Sequence, residues 1–380
     1  MYYEYFMNSF LFNPENDLAL AAGSRCYTPP RNAALLARCG ALLPLWFAEN
    51  DNDVVLAQNL DDEWLERVRQ LFGLDSEVAP VAPPKSVGRP WGWSPAVVTE
   101  FVRRGVDRSM LPDDNAIEKM RSLSHRRTSV QINRRLAGEG IDTPPFAVEV
   151  FDRDGFQSAV KAFDGRFVVK SPWSSTGRGV FMSTSVACDV MMKNAAGIIN
   201  RQGSVIVEPL LDRKTDFAML FHAARGKVSY RGLSLFETSG TAYTGNLLLP
   251  EHELARRIGS QLRSPDILNT VADSLETVLT DIVGPAYEGW MGVDMMVYGD
   301  RQLAPCIELN LRMTMGVVAM TLRNRYVAPG STGCFMVEHG VFGPCDNDRA
   351  VIRDRKLVSG SVDLVPPGRG FRIALNVGHD

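Results

Sequence analysis

The chain has 380 residues with a formal net charge of -3, 45% apolar and 22% charged residues. That length calls for two or three lobes with cores of their own, and the ordinary composition excludes disorder as the default state. The slightly acidic balance gives no basic face for a nucleic-acid backbone, so small-molecule chemistry is expected.

Met1-Tyr2-Tyr3-Glu4-Tyr5 lacks a basic start and an apolar signal core, and the first apolar stretch, Ala33 to Ala48, is broken by Arg38 and Pro44. The reading is a cytoplasmic, non-membrane protein. Cys26, Cys39, Cys188, Cys306, Cys334 and Cys345 form no CxxC pair and no zinc-ligand spacing with histidine, so they read as ordinary reduced thiols.

In chain order, Ser9 to Phe12 reads as a short strand, Asn13-Pro14-Glu15-Asn16-Asp17 as a polar loop, and Leu18 to Ala22 as a helix. Val54 to Leu56 is a second strand. Asp61 caps a helix that buries Trp64, Leu65, Val68, Leu71 and Phe72 and stops at Gly73. Alternating strand and helix predicts an α/β lobe. Pro80 to Pro95, rich in proline and glycine, reads as a loop, and Ser94-Pro95 opens a helix as N-cap and first-turn residues do. A boundary falls near Asp113 to Asn115.

Beyond it come a basic helix over Ser124 to Gly138, a strand over Phe146 to Phe151, a helix over Gly155 to Phe163, and strands at Arg166 to Lys170 and Ser204 to Glu208. Phe217 to Phe221, Val228 to Phe236 and Asn246 to Leu249 read as a meander, making this half α+β. Ser264-Pro265 opens a helix whose Ile267, Leu268, Val271, Leu275, Val278, Leu279 and Ile282 share one face. There is no internal repeat. After Gly330 only Leu357-Val358 and the alternation Val362-Asp363-Leu364 stand out.

Three segments carry chemistry. Val293 to Val297, a turn at Gly299-Asp300-Arg301, and Cys306 to Arg312 predict a hairpin. Glu308, Asn310 and Arg312 then share a strand face, and Asp294 stands almost opposite Glu308. Two carboxylates and an amide suit Mg²⁺, with Arg312 beside a phosphate; a solvated face with a cross-strand ion pair is the other reading of this hairpin. Phe167-Val168-Val169-Lys170 ends an apolar strand on a lysine, which calls for an anion. The following Ser171 to Val180 holds hydroxyls and two glycines able to cradle phosphates, or else is a Gly/Ser turn. Val205-Ile206-Val207-Glu208-Pro209 is a strand running into a fixed extended segment, either a link that recognises a flat base or a strand leaving the core.

Taken in order, Phe-Val-Val-Lys-x8-Gly-Val at Phe167 to Val180, Val-Ile-Val-Glu-Pro at Val205 to Pro209, Gly-Val-Asp at Gly292 to Asp294, and Ile-Glu-Leu-Asn-Leu-Arg at Ile307 to Arg312 resemble the ATP-grasp superfamily. The resemblance covers Asn115 to Met320. It implies an α/β and α+β chain with the ATP-grasp fold: a nucleotide between two α+β subdomains, preceded by a Rossmann-like N-terminal lobe. The corresponding divisions are 1–115 for that lobe, 116–204 and 205–330 for the two subdomains, the second carrying the Mg²⁺ site, and 331–380 for a C-terminal extension.

By resemblance, Lys170 contacts the α- and β-phosphates of ATP, and Ser174, Ser175, Thr176, Gly177 and Gly179 belong to the loop that closes over the β- and γ-phosphates. Glu208 and the backbone of Leu210 or Leu211 meet the adenine, and Asp216 stands near the ribose. Asp294, Glu308 and Asn310 match the Mg²⁺ ligands, with Arg312 on the transferred phosphoryl group. The earlier phosphate lysine is replaced here by His125-Arg126, so Arg126 takes its place, with Arg127 as rival.

The implied activity is an ADP-forming carboxylate–amine ligase acting through an acyl phosphate on a small-molecule or peptide carboxylate and an amine. A phosphotransferase acting on a hydroxyl and a non-catalytic nucleotide sensor are the alternatives. Substrate candidates are Asn13, Glu15, Asn16 and Asp17, because ligands bind beyond the carboxyl ends of strands in open α/β sheets; an Asx/Pro turn with a helix cap explains the same residues. A second set is Tyr243 and Asn246, with Lys227 and Arg231 as carboxylate anchors. Neither nucleic acid nor membrane is expected as a partner, and the oligomeric state, a homodimer included, is open.

Overall fold

The computed structural model describes residues 7–48, 53–58, 60–174, 179–239, 242–343 and 350–378. The N-terminal lobe is a parallel sheet of β1 (Met7–Leu11), β2 (Val54–Leu56), β3 (Glu77–Ala79) and β4 (Ser86–Pro90) in the order β3-β2-β1-β4. Its helices are α1 (Asn16–Ala22), α2 (Arg31–Cys39), α3 (Asp62–Phe72) and α4 (Pro95–Arg103), followed by α5 (Asp114–Leu123) and α6 (Arg127–Gly138). The expected caps are in place: Asp61 accepts from the Trp64 N–H and Ser94 from the Val97 N–H.

Two readings of this lobe need correction. The segment read as loop from Pro80 to Pro95 contains β4. It is an edge strand, where Pro90 removes no ladder bond, and Gly88 sits so close to Leu111 and Phe101 that a Cβ would come within 2.9 Å of the leucine. The helix expected from Ser124 begins only at Arg127, because His125 and Arg126 form a turn in which the Thr128 N–H donates to the His125 carbonyl.

The second sheet holds β5 (Val148–Val150), β6 (Phe167–Lys170), β7 (Val180–Met182) and β8 (Val205–Pro209), ordered β5-β8-β6-β7, with every pair antiparallel. Helices α7 (Arg153–Ala162) and α8 (Cys188–Gln202) pack on it through Phe156, Ala159, Met191, Ala195 and Ile198. β8 closes this sheet, so the chain crosses to the third sheet only after Pro209.

That third sheet has nine antiparallel strands, β13-β12-β9-β10-β11-β14-β17-β16-β15. They are β9 (Arg213–Ala224), β10 (Lys227–Ser239), β11 (Ala242–Leu248), β12 (Gly289–Tyr298), β13 (Gln302–Asn310), β14 (Thr332–Val341), β15 (Val351–Arg353), β16 (Lys356–Asp363) and β17 (Arg369–Gly378). β9, β10 and β11 form the expected meander. The stretch after Gly330, nearly silent as sequence, supplies four of the strands. Its glycines break the side-chain alternation that would have revealed them; a Cβ on Gly333, for example, would lie 2.1 Å from the Asn376 carbonyl oxygen.

One face of this sheet is covered by α9 (Glu251–Gly259), α6 and α10 (Ile267–Ile282), whose apolar stripe of Leu268, Val271, Leu275, Val278 and Leu279 is buried as its spacing demands. The helix starts two residues after Pro265. The other face packs on α11 (Met315–Tyr326) and the N-terminal lobe in one continuous core. Trp46, fully buried, donates its indole N–H to the Leu364 carbonyl at 2.7 Å, and Trp64 donates to the Asp363 carbonyl at 3.2 Å. These bonds tie the first lobe to the last strands.

Candidate active site

β12 and β13 pair antiparallel with Asp294 opposite Glu308 and Gly292 opposite Asn310. Alternation therefore puts both carboxylates and the amide on one face, while Val293 and Leu309 enter the core on the other. The register depends on an irregularity. Tyr298 pairs with Gln302 and Met296 with Ala304, so an unbroken ladder would set Cys306 against Asp294. A bulge at Pro305-Cys306, tolerated because β13 is the sheet edge, brings Glu308 there instead.

Arg312 lies two residues past Asn310 and returns to the same site. Its Nη2 donates to Asn310 Oδ1 at 2.8 Å, and its Nε donates to Asp17 Oδ2 at 2.9 Å. Asp17 reaches it from α1 of the N-terminal lobe. Two further cations come from the turn before α6 and from the end of β6. Arg126, buried, donates through Nη2 to both carboxylate oxygens of Glu308 at 2.7 Å, and through Nη1 to the Ser171 carbonyl at 3.0 Å and Ser174 Oγ at 3.1 Å. Arg127 turns the other way, to Glu149 at 3.5 Å. Lys170, buried at the end of β6, pairs with Glu208 on β8.

Asp216 on β9 is held by Arg213 at 2.9 Å, and burial raises its carboxyl above the usual range against the pull of Arg213 and Lys170. Burial likewise pushes Asp294 up to about 7; the charge of Glu308 adds to the rise, and the Asn310 hydrogen bond and Arg312 oppose it.

Of the residues expected to form a phosphate loop, Ser174 is buried against Arg126, and the Gly179 carbonyl accepts from the Ser171 N–H at 2.9 Å. Gly179 has φ +71°, and a Cβ there would lie 2.3 Å from Ser171 Oγ, so the turn requires glycine. Ser175, Thr176 and Gly177 lie outside the described residues. Of the two backbone candidates, the Leu210 N–H is committed to the Arg166 carbonyl at 3.0 Å, whereas Leu211 joins Glu208 and Arg126 around a cavity of about 40 Å³. That volume holds a few waters, so a nucleobase needs the gap between the second and third sheets to widen.

The loop residues divide. Asn13 clamps Gly92, donating to its carbonyl at 2.8 Å and accepting from its N–H at 3.3 Å, and buried Asn16 packs against the same glycine. Glu15 stands at the N-cap position of α1 without a side-chain cap hydrogen bond, its Oε2 buried and lacking a hydrogen-bond partner among the described residues; burial raises its carboxyl. Asp17 reaches the carboxylate site through its ion pair with Arg312. Tyr243 and Asn246 bond to each other, and Asn246 donates to Ser234 Oγ at 2.6 Å; among the described residues neither bonds to that site. Arg231 lies on the rim of a cavity of about 620 Å³ between the N-terminal lobe and the third sheet. The Trp91-Gly92-Trp93 run, His222, Arg225 and Trp290 line that cavity and were passed over in the sequence. Two tryptophans flanking a glycine inside a proline-rich stretch were the available signal.

No protein-family model and no curated protein matches the sequence. Solved structures do. The biotin carboxylase domain of 2-oxoglutarate carboxylase from Hydrogenobacter thermophilus, in complex with MgADP, ADP and bicarbonate, aligns at TM-score 0.54 and 11% identity over 98% of this chain and 86% of that one. Phosphoribosylamine–glycine ligase from Thermotoga maritima aligns at 0.53 and 13% over 99% and 93%. Biotin carboxylase from Campylobacter jejuni aligns at 0.52 and 11% over 98% and 88%. The chain has the ATP-grasp fold.

Within this ATP-grasp fold the donor set fits a hard divalent cation. Asp294 and Glu308 are ladder partners with like charges, and Asn310 adds an amide oxygen on the same strand face, the oxygen-rich set that such an ion takes. Among the described residues, no helix is long and apolar enough to cross a membrane. Cys26, Cys39, Cys306 and Cys334 are free thiols.

Proposed function

We propose that the protein is an ADP-forming carboxylate–amine ligase that uses Mg-ATP to activate a small-molecule or peptide carboxylate. The observation that carries this reading is the convergence, from separate parts of the chain, of Asp294, Glu308 and Asn310 with Arg126 and Arg312, with Lys170 paired to Glu208 on the second sheet. A site built only to bind a nucleotide has no need for Arg312, which Asp17 and Asn310 hold beside the carboxylates.

In this reading the nucleotide lies between the β5–β8 sheet and the nine-stranded sheet, with residues 1–115 as the preceding lobe and 331–380 as an extension of the last sheet. Glu208 and the Leu211 backbone meet the base, Asp216 the ribose, and Lys170 and Arg126 the phosphates. Asp294, Glu308 and Asn310 hold Mg²⁺, which when bound neutralises charge on the phosphate oxygens. Arg126 then exchanges its bond to Glu308 for one to phosphate. A substrate carboxylate oxygen attacks the γ-phosphorus, the bond to ADP breaks, and an acyl phosphate forms. Arg312 stabilises the charge spread over the transferred group. The amine nitrogen then attacks the acyl carbon, phosphate leaves with the C–O electron pair, and the amine proton passes to water.

ADP release from Mg-ATP across pooled carboxylates and amines, in wild type and Glu308→Gln, tests the reading. Release that needs both a carboxylate and an amine and is lost in the variant is expected. Release without an amine, with phosphate appearing on a hydroxyl, makes the protein a phosphotransferase. Failure to bind Mg-ATP removes the ligase reading altogether.

A further inference from the structure

The cavity of about 620 Å³ lies at one end of the sheet face that carries the metal-type ligands. Along β12, Trp290, Gly292 and Asp294 point to the same side, paired across β9 with His222, Leu220 and Ala218. Met296 and Asp216 pair on the far side of Asp294. One face thus runs from Asp216, through Asp294, Glu308 and Asn310, to Trp290 and His222, with roughly 13 Å between Asp294 and Trp290 at strand rise. The cavity opens at the Trp290 end, remote from Asp216, Lys170 and Glu208. Its inner wall adjoins Arg312: Gly92 lines it, and a Cβ on Gly92 would lie 3.0 Å from Arg312 Cβ.

The lining has two chemistries. Trp91, Phe47 and Trp290 supply flat apolar walls, and the Trp290 ring is braced by His222, with ring centroids 4.9 Å apart. Gly289 opens β12 at φ +133°, where a side chain would press on the Tyr287 hydroxyl, so the wall at the start of the strand stays low.

At the outer end stand Arg89, Arg225 and Arg231. Arg89 donates to Asn8 at 2.9 Å, whereas the Arg225 and Arg231 guanidinium groups have no hydrogen-bond or ion-pair partner among the described residues. Two acids share the cavity and both are engaged. Asp53 accepts from Asn8 at 2.8 Å, and Glu288 accepts from the Arg225 backbone N–H at 3.1 Å. Three guanidinium groups against two carboxylates leave the cavity positive, with its uncommitted cations at the mouth. Leu220, level with Asn310, and Ala224, beside Arg225, are about 13 Å apart at strand rise. Uncommitted cations therefore stand at one end of an aromatic slot, and Arg312, held by Asp17, Asn310 and the Met313 carbonyl, lies behind Gly92 at the other.

Resting on the ligase reading, we propose that this cavity holds the acid to be activated, and that this acid is a dianion with a flat ring-bearing body. The reacting carboxylate lies at Arg312, the ring lies between Trp91 and Trp290, and a second anionic group, carboxylate or phosphate, lies at Arg225 and Arg231. A volume in the range usual for small-molecule sites fits a molecule of that length.

The test uses the full chain and its tryptophan fluorescence, titrated with 4-(carboxymethyl)benzoate, 4-(phosphonomethyl)benzoate, benzoate and 4-(aminomethyl)benzoate. The expected result is saturable quenching by at least one dianion with a Kd tenfold or more below that of benzoate, and the dianion that binds more tightly identifies the second anionic group. Arg225→Ala with Arg231→Ala, both at exposed positions, should erase that advantage while leaving benzoate binding intact. Trp290→Leu should weaken every ligand. Mg-ATP binding, followed by thermal shift, should be unchanged in these variants, which separates failure here from failure of the ligase reading. Mg-ATP binding with dianions no better than benzoate, or tightest binding by the aminomethyl compound, overturns the proposal. Dianion binding to a protein that does not bind Mg-ATP overturns the substrate role.

Discussion

Replacing Asp17 with Asn leaves the shape of α1 unchanged and removes the charge that holds Arg312. In the native protein Nε and Nη2 of Arg312 lie 2.9 and 2.8 Å from Asp17 Oδ2, and the two side chains are 17% and 16% exposed. Hydrogen bonds to charged groups contribute about 1.5–3 kcal/mol, and breaking a fully buried pair costs about 3–5 kcal/mol. Asn310 still accepts from Arg312 at 2.8 Å, and one sixth of each side chain meets solvent, so the lower range applies. A double-mutant cycle of Asp17→Asn and Arg312→Met, read by urea unfolding, should give a coupling of about 2 kcal/mol. Turnover in Asp17→Asn should fall tenfold or more with ATP binding unchanged, because Arg312 loses its orientation and not its charge. A coupling below about 0.3 kcal/mol, the level at which independent sites add, would refute the inference that Asp17 positions Arg312.

Further expectations concern the same framework. Gly92→Ala places a Cβ 2.4 Å from Asn16 Nδ2 and 3.0 Å from Arg312 Cβ, so turnover should drop while Mg-ATP binding, measured calorimetrically, stays near wild type. Leu275, fully buried in α10, should cost about 2–5 kcal/mol as Leu275→Ala, seen as a lower denaturation midpoint. His125 is held down at about 3 by burial first and then by Arg127, Arg121 and Arg126. Its Nδ1 accepts the Arg127 N–H at 3.0 Å, which puts the neutral ring's proton on Nε2, facing Glu149 at 3.4 Å. The unfolded chain takes up a proton near the ordinary value of 6.5 that the folded chain refuses until about 3. Stability present above 6.5 is therefore lost as pH falls, by up to about 1.4 kcal/mol per unit. Stability measured against pH for wild type and His125→Gln should diverge in that window, with the variant the flatter; parallel curves would contradict a neutral buried His125.

Local rules were enough to reveal the parts of this protein whose cause lies within a dozen residues. The stripe on α10 follows from helical period, and the caps at Asp61 and Ser94 from unsatisfied N–H groups at helix starts. The β12–β13 hairpin follows from alternation and a glycine turn, and with it the shared face of Asp294, Glu308 and Asn310. Even there the bulge at Pro305-Cys306, which decides that Glu308 and not Cys306 faces Asp294, belongs to the sheet edge and has no signature in periodicity.

The remaining decisions are tertiary. Arg126 and Arg127 are neighbours of the same type, and only the turn around His125, braced by Trp173 at 4.6 Å between ring centroids, sends one to Glu308 and the other to Glu149. β4, β14 and β17 are held by partners distant in sequence, with Gly333 placed for close backbone approach, so they carry little alternation of their own. Asp17 and Arg312 are 295 positions apart, and the cavity between Trp91 and Trp290 exists only because the first lobe docks on the last sheet. The sequence by itself showed the local elements, whose causes are backbone geometry and burial within a few turns, and pointed to the fold through the resemblance carried by its four ordered motifs. Which cations reach the acid–amide face, and what chamber opens beside it, depended on sheet order and lobe docking, which set distances between residues that share no local pattern.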